Sequence, residues 1–171
     1  MLVVLADTHE TQDPALVGAA DAAVAEADLV LHAGDFTAAA VVDGFDDAAA
    51  DFRAVSGNRD DEAVTERLPA ATTLEYAGIR IAVTHQQRGG ATGLAMFGRE
   101  RGADLVVSGH SHRPRVDQEG SITLLNPGSH ADPRGARQSF AVLEPQENGR
   151  LAGRLETVDG EVFKRFEVES K

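Results

Sequence analysis

Met1-Leu2-Val3-Val4-Leu5-Ala6-Asp7-Thr8-His9 opens the chain as an unbroken apolar run that ends abruptly in a carboxylate and an imidazole. Apolar at every position, the run predicts a strand covered on both faces; a half-exposed strand would alternate. Asp7 and His9 then stand just past its C-terminal end. The same arrangement recurs along the chain. Leu29-Val30-Leu31-His32 leads to Gly34-Asp35, and Phe52-Arg53-Ala54-Val55 to Gly57-Asn58-Arg59-Asp60. The run 79–84 leads to His85, and Leu105-Val106-Val107-Ser108 to Gly109-His110-Ser111-His112. Four of the six histidines, His9, His85, His110 and His112, therefore follow apolar runs at the point where loops begin.

Between the runs lie Ala-rich segments of helical character. Residues 14–27 are predicted as a helix, with Asp13 as N-cap and Pro14 at the first helical position. Further helices are expected around 38–45, over 61–68 with Pro69 stopping it, and over 91–101 with Gly102 closing it. Residues 72–76 and 79–84 alternate as a hairpin about Ala77-Gly78. The last third reads as strands at 115–118, 121–125, 139–144, 150–157 and 161–167, with turns at Glu119-Gly120 and Asp159-Gly160. Alternating strand and helix followed by antiparallel strands predicts an α/β fold of two sheets packed face to face with helices outside. Periodicity alone leaves a three-layer doubly wound sheet equally open. No repeat, low-complexity tract or linker divides residues 1–171, so one domain with a single core is expected, burying roughly 70% of the unfolded chain's surface.

Hydrophobic residues make up 42% of the chain but aromatics only 5%, so the core must be built from Ala, Val and Leu. The formal net charge is -12, and Lys164 and Lys171 are the only lysines among the basic residues. Dense carboxylate with Arg in place of Lys is expected where very high salt screens self-repulsion, which points to a halophilic, archaeal source. There is no cysteine, which excludes disulfides and thiolate metal sites. The acidic balance lacks the basic footprint of a protein that binds long nucleic acid. The opening run has no basic leader and meets Asp7 too soon for a signal peptide or membrane span, so a cytoplasmic protein is expected.

Ligands of α/β sheets gather where strands end and loops begin. Asp7, His9, Asp35, Asn58, His85, His110 and His112 together make a set of carboxylate, carboxamide and imidazole donors. Such a set suits manganese, iron, nickel, cobalt or zinc better than calcium, or magnesium alone. In extended segments residues i and i+2 point the same way, so Asp7 with His9 and His110 with His112 can converge. Seven donor residues exceed what one octahedral ion with room for substrate accepts; two divalent ions, manganese first among them, are the more economical reading. His32 is read as a satisfied core histidine, His130 as an exposed loop residue, and Asn126 as orienting the site or capping a turn. Arg113, Arg115, Arg134 and Arg137 read as surface ion pairs more than phosphate contacts.

The order Asp7-x-His9, Gly34-Asp35, Gly57-Asn58, His85, Gly109-His110-x-His112 resembles the calcineurin-like metallophosphoesterases, especially their small single-domain bacterial and archaeal phosphodiesterases. The resemblance covers essentially the whole chain and takes in Asn126-Pro127-Gly128-Ser129, similar to a loop that small members carry. It implies a four-layer sandwich, two mixed β-sheets packed face to face and flanked by helices. It further implies one ion on Asp7, His9, Asp35 and His112 and a second on Asp35, Asn58, His85 and His110, with Asp35 as bridge. A hydroxide shared by the ions would attack the phosphorus of a small phosphodiester or nucleotide-like substrate. A phosphomonoesterase, or a scaffold like the retromer subunit that resembles this family, is the alternative, and a homo-oligomer is compatible with either. Arg59, His85 and His110 are the catalytic candidates; Asn58, Arg59 and Asn126 are those for binding substrate. Many relatives carry histidine where Arg59 stands. Arginine stays protonated, so it can stabilise a phosphate or leaving oxygen but cannot be a general acid, which predicts a slow enzyme favouring activated leaving groups. Gln86 follows His85 where relatives commonly have Gly, and either narrows the pocket or offers an amide to substrate.

Overall fold

The computed structural model describes residues 1–170. Its elements are β1 (Leu2–Leu5), α1 (Gly18–Glu26), β2 (Leu29–His32), α2 (Ala39–Ala48), β3 (Phe52–Ala54), α3 (Glu62–Arg67), β4 (Ala71–Tyr76) and β5 (Ile79–Thr84). They continue with α4 (Gly90–Glu100), β6 (Leu105–Val107), β7 (Arg115–Glu119), β8 (Ile122–Asn126), β9 (Ser139–Pro145), β10 (Leu151–Thr157) and β11 (Val162–Val168). One sheet runs in the order β11-β10-β9-β1-β2-β3, the other β4-β5-β6-β8-β7. Both are mixed. In the first, β1, β2 and β3 are parallel and β9 joins β1 antiparallel. In the second, β5, β6 and β8 are parallel between the antiparallel edges β4 and β7.

The period of two along each strand sorts side chains into layers. Leu2, Val4 and Ala6, with Leu29 and Leu31 of β2, face Ile79, Ile81, Val83, Leu105 and Val107 of the second sheet. Val3, Leu5 and Val30 turn the other way onto Val24 of α1, Val41 and Phe45 of α2 and Val64 of α3. On the far side, Ala82, Val106, Ile122 and Leu124 pack on Phe97 of α4. The result is four layers, α1–α3, sheet, sheet and α4, and β1 is buried on both faces as its composition requires. Each fully buried Val or Leu in these layers contributes about 1.5–3 kcal/mol relative to exposure. No helix among the described residues is long and apolar enough to cross a membrane.

One expected boundary is wrong. The helix predicted from Pro14 begins only at Gly18, with Val17 at the N-cap position and no side-chain cap. Asp13 spends its carboxylate locally, accepting a hydrogen bond from the Ala15 amide (2.8 Å) in an Asx turn, and Ala15 is left-handed (φ 49°). The Pro14 ring lies so close to Gly44 of α2 that a Cβ there would come within 2.5 Å of the Pro14 Cδ. Tertiary packing thus holds residues 11–17 as a loop against their helical composition. The remaining helices and strands fall where the periodicity places them, with ends shifted by a residue or a few.

Candidate metal centre

The parallel strands β1, β2 and β3 of one sheet and β5 and β6 of the other release their chains toward one edge, where the seven donor residues meet. Asp35 Oδ2 lies 3.3 Å from His9 Nε2 and 3.3 Å from His85 Nε2. Asp7 Oδ1 lies 3.5 Å from His112 Nε2 and 3.9 Å from His9 Nε2. On the other side Asn58 Oδ1 lies 3.0 Å from His85 Nε2 and 2.9 Å from His110 Nδ1. Two donor groups result, Asp7-His9-His112 and Asn58-His85-His110, with Asp35 in contact with both. Asp7 is not confined to the first group: donor atoms of Asp7, Asp35 and His85 also lie within 4.8 Å of one another.

The backbone at these positions is strained. Asp7, His9, Asp35, His110 and His112 all have left-handed φ, at 56°, 52°, 62°, 71° and 57°. Such residues cost of order 1–3 kcal/mol each and persist only where surrounding contacts over-determine them. Here the Asp7 amide donates to Gly34 O (2.9 Å) and the His9 amide to Asp35 O (3.0 Å), lacing the β1 and β2 loops together. The His110 amide donates to Asp7 Oδ1 (3.0 Å) and the Arg59 amide to Asp35 Oδ1 (2.8 Å). Two glycines permit this approach: a Cβ on Gly57 would stand 2.2 Å from Asp35 Oδ1, and one on Gly109 would stand 2.9 Å from Asp7 Oδ2.

The donor set fits divalent ions. Asp7 Oδ2 is buried and has no hydrogen-bond partner, the signature of a carboxylate oxygen that a cation satisfies. His85 Nδ1 contacts Ala33 O at 2.8 Å and His112 Nδ1 contacts Asp132 O. Each carbonyl calls for the proton on Nδ1, which leaves Nε2 free to ligate. Burial pushes the Asp7 carboxyl above its ordinary range, with His85 and His112 pulling against it. Burial also opposes ionisation of Asp35, but hydrogen bonds from His85, His9 and the Arg59 amide hold it far below the usual carboxylate range. For His85, burial would lower the pKa, and the neighbouring Asp35 and Asp7 raise it instead.

Behind the donors, His32 is a core histidine as expected. The Gly34 amide donates to its Nδ1 (3.1 Å), so its Nε2 carries the proton toward Thr8 Oγ1 (2.9 Å), and burial drives its pKa well down. His130, expected to be exposed, is instead 1% exposed, with Nε2 against Pro14 O at 2.8 Å and its ring edge-on to Phe45. The polar composition of its loop suggested a surface. Ser129 turns that loop inward by donating to Asp7 O (2.7 Å) and accepting from the Asp132 amide (2.7 Å). Asn126 donates to Gly109 O (2.7 Å) and Ser111 Oγ (3.1 Å) and accepts from the Gly128 amide (2.9 Å). These bonds tie it to the His110–His112 loop and orient that loop toward the centre. Asp60, which ends the Gly57-Asn58-Arg59-Asp60 strand tip, accepts from the amides of Thr37 (2.8 Å) and Gly57 (2.7 Å) and braces the Asn58 loop.

The Arg59 side chain is exposed and, among the described residues, makes no hydrogen bond or ion pair. Arg115 and Arg137 pair with Asp117 and Glu161 at the surface, as expected. Arg134 pairs with Asp132 (3.0 Å) and also places Nη2 3.4 Å from His9 Nε2, at the rim of the centre. Two cavities adjoin the centre and share His85, Gln86 and Gln87 in their walls. One, of about 650 Å³, runs from Asn58 past Arg88 to Met96. The other, of about 200 Å³, lies between His110 and the start of α4.

This fold and this ring of nitrogen and oxygen donors define a metallophosphoesterase-type centre. Residues 1–148 match the calcineurin-like phosphoesterase superfamily domain, and the chain belongs to that superfamily. It is 37% identical over 124 residues to a probable metallophosphoesterase of Methanocaldococcus jannaschii, a match that spans 70% of this chain and 62% of that protein. With a probable metallophosphoesterase of Methanothermobacter thermautotrophicus it shares 31% identity over 168 residues, 96% of this chain and 92% of the relative. Among solved structures it is similar to Vps29 of Entamoeba histolytica complexed with Zn²⁺, with a TM-score of 0.76 over 97% of this chain and 98% of that one. At 23% identity, that likeness is one of fold.

Proposed function

We propose that the chain is a metal-dependent phosphodiesterase acting on a small, nucleotide-like phosphodiester. The observation that carries the reading is Asp35 Oδ2, equidistant at 3.3 Å from one imidazole of each donor group. Asp7, His9, Asp35 and His112 would hold one divalent ion and Asp35, Asn58, His85 and His110 the other, manganese being the first choice. Bound ions of this kind supply a nucleophile near neutral pH and neutralise charge that develops on the phosphoryl oxygens. The chain's own residues do the rest. Strained loops and buried carbonyl contacts hold the donors in place, and the unpaired Arg59 guanidinium on the Asn58 loop is available to a phosphate oxygen. Because Arg59 cannot give up its proton, good leaving groups are favoured. Two cavities leaving the centre supply room for two arms, which supports a diester over a monoester. The net charge of -12 supports work in the salt-rich cytoplasm of a halophilic archaeon and argues against long nucleic acid as a partner.

The test is hydrolysis of bis-p-nitrophenyl phosphate and of p-nitrophenyl phosphate by metal-stripped protein, with and without manganese, in multimolar KCl. Manganese-dependent turnover that favours the diester is expected. Turnover of neither by folded, metal-loaded protein would overturn the reading and favour a scaffold.

A further inference from the structure

The smaller cavity has a wall that the metal chemistry does not use. His85 and His110 form its inner side, while Ala91 and Leu94 of α4 and Leu124 and Leu125 of β8 form an apolar outer side. Ala91 and Leu94 are partly buried against the cluster that contains Leu124, so this wall is continuous with the fold's own core while still reaching the cavity. The cation in its lining, Arg115, is paired with Asp117, which leaves no free charge there to receive a second phosphate. Pockets for whole drug-sized ligands run to roughly 300–1,000 Å³, so a cavity of about 200 Å³ admits a single ring. The cleft of about 650 Å³ is different in size and character, and Arg88 in its wall makes no ion pair among the described residues.

Resting on the phosphodiesterase reading, we infer that the substrate is an asymmetric phosphodiester. One arm is a flat, uncharged aromatic or heterocyclic ring seated between His110 and Leu94. The other is larger and polar and lies along the cleft, with Gln86-Gln87 as the divider. Withdrawing the ring from water onto Ala91, Leu94 and Leu124 favours it over a methyl group in the same place, which buries less apolar area.

Isothermal titration of the manganese-loaded full chain in multimolar KCl, with phenylphosphonate and with methylphosphonate, tests this without turnover. Phenylphosphonate should bind about tenfold tighter. Ala91→Phe, which fills the cavity, should bring the ratio of the two affinities to about two or less. Near-equal affinities in the wild-type chain would overturn the ring site even if bis-p-nitrophenyl phosphate is hydrolysed. That comparison decides alone if Ala91→Phe does not fold. A ring preference in protein that hydrolyses no diester would instead support the site while removing the phosphodiesterase reading.

Discussion

Asp35 touches both donor groups: one carboxylate oxygen faces His9 and His85, and the other accepts from the Arg59 amide. Asp35→Asn keeps the shape and removes the charge that joins the two donor groups. On the proposed two-ion reading, manganese retained after dialysis should fall from two ions per chain to one or fewer, measured by elemental analysis. Diesterase activity should fall more than about 100-fold, beyond the usual effect of losing a supporting contact. The buried histidines set a pH dependence of stability. His32 and His130 are both held below their ordinary pKa by burial, so the unfolded chain binds protons that the folded chain refuses. Stability from these groups is complete above pH ~6.5 and is lost as pH falls below it, by up to about 1.4 kcal/mol per pH unit for each histidine. His85, with its raised pKa, acts in the opposite sense. Comparing His130→Phe with wild type isolates the effect. In chelator, the denaturation midpoint should drop less between pH 7 and pH 5.5 in the variant; equal drops would refute the assignment.

At the scale of elements, the strand tips were legible because an apolar run buried on both faces must end where polar residues begin. The start of α1 was not, because Asp13 caps an Asx turn and not a helix. The N-cap position of α2, Ala38, has the extended backbone of a cap (φ -130°, ψ 152°) but no side chain to fill it. Ala38→Ser should therefore stabilise the fold by about 1 kcal/mol in denaturant unfolding. Asn126 matters through an element it does not belong to. Asn126→Ala frees Gly109 O and Ser111 Oγ and loosens the loop that carries His110 and His112. Manganese affinity should fall about 10- to 100-fold with little change in secondary structure, which titration and circular dichroism would check together.

Over the whole molecule, two terms act in the same direction. Asp7 and Asp35 are buried side by side, and a cation that binds only the native state adds about 2.7 kcal/mol at a hundredfold excess over its Kd. For a chain of this size manganese should raise Tm by about 5–10 °C over the chelated protein. The net charge of -12 opposes compaction until salt screens it, so Tm should also rise between dilute buffer and multimolar KCl. Identical melting with chelator and manganese would contradict the first expectation, and a Tm insensitive to KCl the second.

From the sequence alone came the identity of the donors, their places at strand ends, the absence of thiolate chemistry and the alternation that layers the core. These follow from short-range pattern, because an apolar run reports its own burial. It does not report its neighbour. Which strands share a sheet, the meeting of Asp7 with His110 across 103 positions and with Ser129 across 122, and the burial of His130 depend on contacts between distant segments. So do the two cavities: the smaller needs the start of α4 to face the loop at His110, and the larger needs α4 to face the loop at Asn58. Local periodicity carries no term for such distances, and only the packed tertiary structure decides them.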